Sequence, residues 1–223
     1  MDVHVLPDGT QVEIRPIRAD DGQRLRDSHL RLSEESRYRR FLAAKPELSE
    51  ADARYLVQVD GCDHYALVAT LAGGPGDDPE PIVAVARYIR RPGDPRTAEL
   101  AIVVGDRLQG QGLATELLTR LARAAAVRGV RRFTATMLSD NVAIQRLLAR
   151  ISAGPPSVRR LGAITEIDIG LPAAGEPAPG RLLRSSPCAL EADRTNGAQR
   201  ATGLVRHARS SPRRARASRS RAV

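Results

Sequence analysis

The sequence predicts an α/β domain over residues 1–172, followed by a basic tail over residues 173–223. Three observations carry that reading. Alternating, strand-type segments and 3.6-period, helix-type segments succeed one another along the first 172 residues. A glycine-bearing stretch at Gly105–Gly112 joins an apolar strand to the most periodic helix of the chain. Beyond Pro172 the pattern stops: Ile, Leu, Val and Phe make up six of the last 51 residues, too little apolar surface to offset chain entropy, so disorder is expected there.

The elements follow in order. Val12–Ile17 alternates, and Asp8-Gly9 before it predicts a hairpin with Val3–Leu6. Asp20 reads as the N-cap of a helix carrying Leu25, Leu30 and Leu32. Ser33, with Glu34 and Glu35 in the first turn, starts a second helix containing Tyr38, Phe41 and Leu42. Ser49-Glu50-Ala51-Asp52 has the form of a capping box for a third, with Ala53, Leu56 and Val57 inward. Strands are expected at Tyr65–Leu71, Ile82–Ile89 and Thr97–Val104, separated by loops at 73–81 and 91–96 rich in Gly, Pro and Asp. Leu113, Leu117, Leu118, Leu121 and Ala125 form one helical face that ends at Gly129. Arg132–Leu138 is a strand, Asp140-Asn141 caps a helix with Ile144, Leu147, Leu148 and Ile151 inward, and Val158–Leu171 holds at least one more strand.

Composition removes several chemistries. The chain carries 35 basic and 26 acidic residues, a net of +9, but residues 1–172 hold 24 basic and 23 acidic, a net of +1. The remaining +8 belongs to the tail, with 11 Arg and three acids. Only one cation is a lysine, Lys45, so no Gly-Lys-Ser/Thr phosphate loop exists and Schiff-base chemistry has one unpromising candidate. Cys62 and Cys188 have no CxxC neighbour, and the four histidines lack metal-ligand spacing. No metal site is expected. With no signal pattern at the N-terminus and no apolar run near the ~20 residues that span a bilayer, a cytoplasmic location and no membrane partner are expected.

The densest chemical signal is Ile102-Val103-Val104-Gly105-Asp106-Arg107-Leu108-Gln109-Gly110-Gln111-Gly112-Leu113-Ala114-Thr115. Glycines let backbone approach a ligand, and free amides at a helix start favour an anion such as phosphate. A dinucleotide fingerprint fails twice. Thr115 stands where the third glycine belongs, and Arg131-Arg132 stand where an acid belongs.

Gln109-Gly110-Gln111-Gly112-Leu113-Ala114 resembles the Gln/Arg-x-x-Gly-x-Gly/Ala signature of the GNAT superfamily of acetyl-CoA-dependent N-acetyltransferases. The likeness covers roughly residues 10–172. Ile14-Arg15-Pro16-Ile17-Arg18, Ser33–Tyr38, Asp63–Val68 and Met137–Asn141 are most similar to the bacterial Pat-type protein lysine acetyltransferases. The resemblance implies a mixed, centrally splayed sheet flanked by helices, with acetyl-CoA as co-substrate. Ile102, Val103 and Val104 would pair with the pantetheine arm, Gln109 would belong to the cofactor loop, and the amides of Gly110, Gln111, Gly112, Leu113, Ala114 and Thr115 would hold the pyrophosphate. Asn141 would lie beside the cofactor, although its position also reads as an ordinary N-cap. The regulatory domain that some Pat-type proteins carry is not expected here.

Acetylation needs a neutral amine, and a lysine of pKa ~10.4 costs roughly 4.6 kcal/mol to deprotonate at pH 7. Glu99 is the candidate general base because it interrupts the apolar strand Ala98–Val104 just before the loop. A solvent-facing Glu99 is the plain alternative; His64, Asp60 and Asp63 are weaker candidates. Many GNAT enzymes place a Tyr seven residues after the Asn, where this chain has Leu148. The expected function is acetyl transfer to a protein lysine. A small-molecule amine acceptor is the alternative, and weak polyanion or nucleic-acid contact through the arginine-rich, aromatic-free tail belongs to another class.

Overall fold

The computed structural model describes residues 3–72 and 80–172. The tail, with Cys188 and its arginine runs, lies outside the described residues. Strands β1 (Val3–Val5) and β2 (Gln11–Pro16) form the expected hairpin. Gly9 takes φ +86° in its turn, and the Asp8 carboxylate accepts the Thr10 amide at 2.9 Å.

Asp20 does not cap the first helix. Residues Ala19–Asp21 form a 3-10 turn, and α1 (Gly22–Leu30) begins behind it. Tertiary contact decides the register: the Asp21 carboxylate accepts two hydrogen bonds from Arg15, at 2.7 and 2.8 Å, and one from the Arg18 amide at 2.8 Å. Leu25 is buried as expected, whereas Leu30 is exposed and Leu32 packs inward from the turn after the helix.

Helices α2 (Glu34–Phe41) and α3 (Glu50–Val57) start where their caps predict. Ser33 Oγ accepts the Ser36 amide, and Ser49 exchanges hydrogen bonds with Asp52 in a full capping box. Phe41 is buried and Tyr38 is exposed. Strands β3 (His64–Leu71), β4 (Ile82–Arg91) and β5 (Asp94–Val104) follow. The loop expected over 91–96 is only a tight turn at Pro92-Gly93, where Gly93 takes φ +82°. Helix α4 (Leu113–Val127), strand β6 (Arg132–Leu138), helix α5 (Val142–Ile151) and the hairpin β7 (Ser157–Leu161)–β8 (Ile164–Gly170) complete the described chain.

All eight strands form one mixed sheet in the order β1-β2-β3-β4-β5-β6-β8-β7. Every neighbouring pair is antiparallel except β5 with β6. Those two are in register only at Thr97–Arg132, Ala98–Phe133 and Glu99–Thr134, while β5 stays paired with β4 up to Val104. The sheet therefore splays immediately after Glu99.

Each face of the sheet has its own core. One gathers Leu113, Leu117, Leu118 and Leu121 of α4 with Tyr88, Phe133 and Leu148. All five residues of the predicted α4 face are fully buried; on α5 only Leu148 is, with Ile144, Leu147 and Ile151 packing at the margin. The opposite face packs Leu25, Phe41, Leu56 and Val57 from α1–α3 onto Val68 and Val85.

Candidate active site

Topology brings the chemistry to one end of the sheet. Because β5 and β6 run parallel, the helices that follow them, α4 and α5, both begin at the end where the two strands part. A cleft at the carboxyl ends of parallel strands is where open α/β sheets bind ligands.

Gly105 leads into a 3-10 turn (Asp106–Leu108), and the chain then enters α4 through Gly110 at φ +78° and Gly112 at φ +85°. A Cβ at either glycine would meet nothing within 4 Å, so left-handed backbone, rather than crowding, is what requires glycine there. No side chain caps α4, and its first backbone bond is from the Glu116 amide to the Gly112 carbonyl. The amides of Leu113, Ala114 and Thr115 thus make none of the described backbone bonds and stand at the positive end of the helix dipole. This is a fit for a pyrophosphate. Gln109 braces the loop: its Nε2 donates to the Val104 carbonyl and to Ser36 Oγ, each at 3.1 Å. Gln111 Nε2 reaches back to the Arg107 carbonyl.

Ile102, Val103 and Val104 pair with Ala86, Val85 and Ala84 of β4 on one edge. Their other edge faces the splay and has no strand partner among the described residues. An extended amide-bearing arm can add to such an edge as another strand would. Asn141 is the N-cap of α5, its Oδ1 accepting the Ile144 amide at 3.3 Å.

Glu99 stands on the last paired rung, between Ile89 of β4 and Thr134 of β6. It is half-buried, and burial pushes its carboxyl above the ordinary carboxylate range, against the opposing pull of Arg40 and Arg91. The other acid–base candidates are committed elsewhere. His64 is buried, its Nε2 is 3.0 Å from Arg87 Nη1, and burial with that neighbouring charge holds its pKa down to about 4. Asp60 accepts the amides of Cys62, Asp63 and His64 at 2.7–2.9 Å, and Asp63 pairs with Arg90 at 3.0 Å. Leu148 is fully buried in the α4-side core.

Sequence reasoning missed two groups. Arg87, in the middle of β4, is only 3% exposed, and with Arg40 of α2 it lines a pocket walled by Leu25, Phe41, Leu56 and Val103. The signal was available: Arg87 interrupts an apolar strand just as Glu99 does. The second group is Asp106 with Ser33 and Ser36, whose association across the sheet no local pattern announces. Among the described residues no cluster of His, Cys, Asp or Glu could hold a metal ion, and no helix is long and apolar enough to cross a membrane.

A splayed parallel pair that ends in an uncapped, glycine-entered helix leaves a cleft with an anion-binding end. Comparison with known proteins agrees. The acetyltransferase (GNAT) domain model matches residues 11–153. Over 158 residues the chain is 35% identical to acetyltransferase Pat of Mycolicibacterium smegmatis, covering 70% of this chain and 45% of that protein. It is 33% identical over 145 residues to an acetyltransferase of Pseudomonas aeruginosa, covering 65% of this chain and 76% of the relative. The crystal structure of the GNAT domain of S. lividans Pat superposes with a TM-score of 0.66 at 32% identity, over 76% of this chain and 96% of that one. The chain belongs to the GNAT acetyltransferase family. It is similar to Pat-type members, and spans less than half the length of the M. smegmatis protein.

Proposed function

We propose that residues 1–172 form a catalytic domain that moves the acetyl group of acetyl-CoA to a primary amine, with a protein lysine as the first acceptor class. The observation that carries this reading is Glu99 on the last rung before β5 and β6 part, beside an unpaired strand edge and a phosphate-binding helix start. Similarity to Pat supports the lysine acceptor.

The amides from Gly110 to Thr115 bind the pyrophosphate, the free edge of Ile102–Val104 aligns the pantetheine arm, and Asn141 borders the cleft from α5. Glu99, ionised, takes a proton from the incoming ammonium directly or through water. The freed nitrogen lone pair forms the new C–N bond as the C–S bond breaks, and the electron pair leaves on sulfur. No tyrosine stands at the Leu148 position, and a thiol of pKa ~8.5 is a tolerable leaving group that water can protonate.

A small-amine acceptor is the second reading, favoured by the half-open pocket between α1–α3 and the sheet. Labelled acetyl-CoA offered to lysine-bearing proteins and peptides alongside polyamines and amino acids separates the two. Label in small amines alone removes the protein-lysine acceptor; label in nothing removes acetyl transfer.

A further inference from the structure

Glu99 and Arg87 lie on the same face of the antiparallel pair β4–β5. Glu99 is directly opposite Ile89, so Arg87, two residues along, is its diagonal neighbour. Such diagonals are separated by about 7–8 Å. The pocket against this face is walled mainly by Leu25, Phe41, Leu48, Leu56 and Val103, with Ser28 and His29 of α1 and Arg40 of α2 also lining it.

Two guanidinium groups in one largely apolar pocket require an explanation. Arg87 is 3% exposed, and both of its hydrogen bonds, to the Leu56 carbonyl and to His64 Nε2, are made by Nη1 at 3.0 Å. Neither partner carries negative charge, because His64 is buried and neutral at pH 7. Arg40 lies over the Phe41 ring at 4.8 Å. The carboxylate whose charge reaches Arg40 is Glu99, and none faces Arg87. Burial and the charge of Arg40 pull the Arg87 guanidinium down to about 9, so it is still charged at neutral pH. A buried cation without a counter-charge is costly unless a ligand supplies one. Arg87 also keeps Nε and Nη2, a fork shaped for bidentate contact with a carboxylate.

We propose that Arg87 and Arg40 form a carboxylate-binding subsite in the acceptor pocket, so that the preferred acceptor presents a carboxylate about one strand diagonal from its reacting amine. The inference rests on the acetyl-transfer reading and specifies its acceptor. Glu99 serves the amine and Arg87 the carboxylate, and the apolar wall between them covers the intervening carbon chain. Two sources share this chemistry: a free amino acid, or an acidic side chain next to the target lysine in a peptide.

The test uses the full chain with acetyl-CoA. One arm compares 5-aminopentanoate with pentylamine; the other compares short peptides with Glu or Gln beside a single lysine. At least tenfold higher kcat/KM for the carboxylate member of either pair is expected, and the arm that shows it identifies the source. Arg87→Gln lowers that preference at least tenfold, and Arg87→Lys restores part of it. Calorimetric acetyl-CoA affinity, unchanged in Arg87→Gln, shows that the variant is folded; a loss of that affinity makes Arg87 structural and overturns the subsite. Equal kcat/KM across both pairs also overturns it, although acetyl transfer to amines would stand. A preference for succinyl-CoA over acetyl-CoA that vanishes in Arg87→Gln assigns the arginines to the acyl group and overturns the acceptor subsite.

Discussion

Ser33 Oγ donates to the Asp106 carboxylate at 2.7 Å, and the Ser33 amide donates to its other oxygen at 2.8 Å. Ser36 Oγ adds a third bond at 2.6 Å and itself accepts from Gln109 Nε2. The first turn of α2 is thereby fastened to the turn that precedes α4. At its other end α2 carries Arg40 and Phe41 into the pocket between α1–α3 and the sheet. One carboxylate therefore links the loop before α4 to the wall of that pocket.

Asp106→Ala releases that link. Each lost bond is worth about 1 kcal/mol net, so acetyl-CoA affinity is expected to fall roughly three- to tenfold. The acceptor KM rises along with it. Glu35→Ala, which removes only an exposed pair with Arg39 on α2, changes neither. Calorimetry and steady-state kinetics read both effects, and a loss of stability with both constants intact would leave the contact purely structural.

Glu99→Gln is expected to bind acetyl-CoA normally and to lose about 10²–10³-fold in kcat at pH 7, as removal of a general base does. Burial raises the Glu99 carboxyl, so in the native enzyme kcat/KM climbs with pH through an acidic limb above the ordinary carboxylate range. The variant lacks that limb and recovers partly at alkaline pH, where free amine supplies itself. Stability moves the other way. A carboxyl raised on folding disfavours the native state once ionised, so Glu99→Gln melts higher than the parent at neutral pH and equals it in acid. Full activity at pH 7 would remove Glu99 from the proton path.

The α4 face was legible because five apolar residues at helical spacing have one packing solution, and all five are fully buried. The glycine-bearing entry to α4 was legible because positive φ at Gly110 and Gly112 admits few other residues. The start of α1 was not legible. Asp20 and Asp21 are equally good caps by type, and a tertiary bond from Arg15 chooses between them. The splay after Glu99 has no local signature at all; it is the endpoint of a parallel pairing between segments over thirty residues apart. Arg87 was overlooked for another reason: an arginine in a strand ordinarily faces water, and only the packing of α1–α3 onto β4 buries this one.

Gly112→Ala and Gly112→Asp separate backbone from charge. An L-residue at φ +85° costs about 1–2 kcal/mol, although its Cβ meets open space. The alanine variant is therefore expected to weaken acetyl-CoA roughly tenfold by turning the amides away, and to lower the melting temperature by a few degrees. The aspartate adds a negative charge at the proposed pyrophosphate site, and calorimetry should show no binding. Equal, native-like affinities in both would place the phosphates elsewhere.

Asp21→Asn tests the anchor of α1. Asp21 is fully buried and bonded to Arg15, itself 7% exposed, and Arg24 lies 2.9 Å away. Burial pushes the Asp21 carboxyl up, but the Arg15 and Arg18 hydrogen bonds outweigh it and hold the group below the ordinary range. Such a group stabilises the fold above its unfolded pKa of about 3.9, and that contribution disappears as pH falls through the lower folded value. Removing the charge leaves Arg15 buried without its partner, a loss of about 3–5 kcal/mol at pH 7. Urea unfolding of parent and variant should therefore differ most near neutrality and converge in strong acid. A gap that stays constant with pH would mean that Asp21 acts through packing alone and that its charge does not hold α1 against β2.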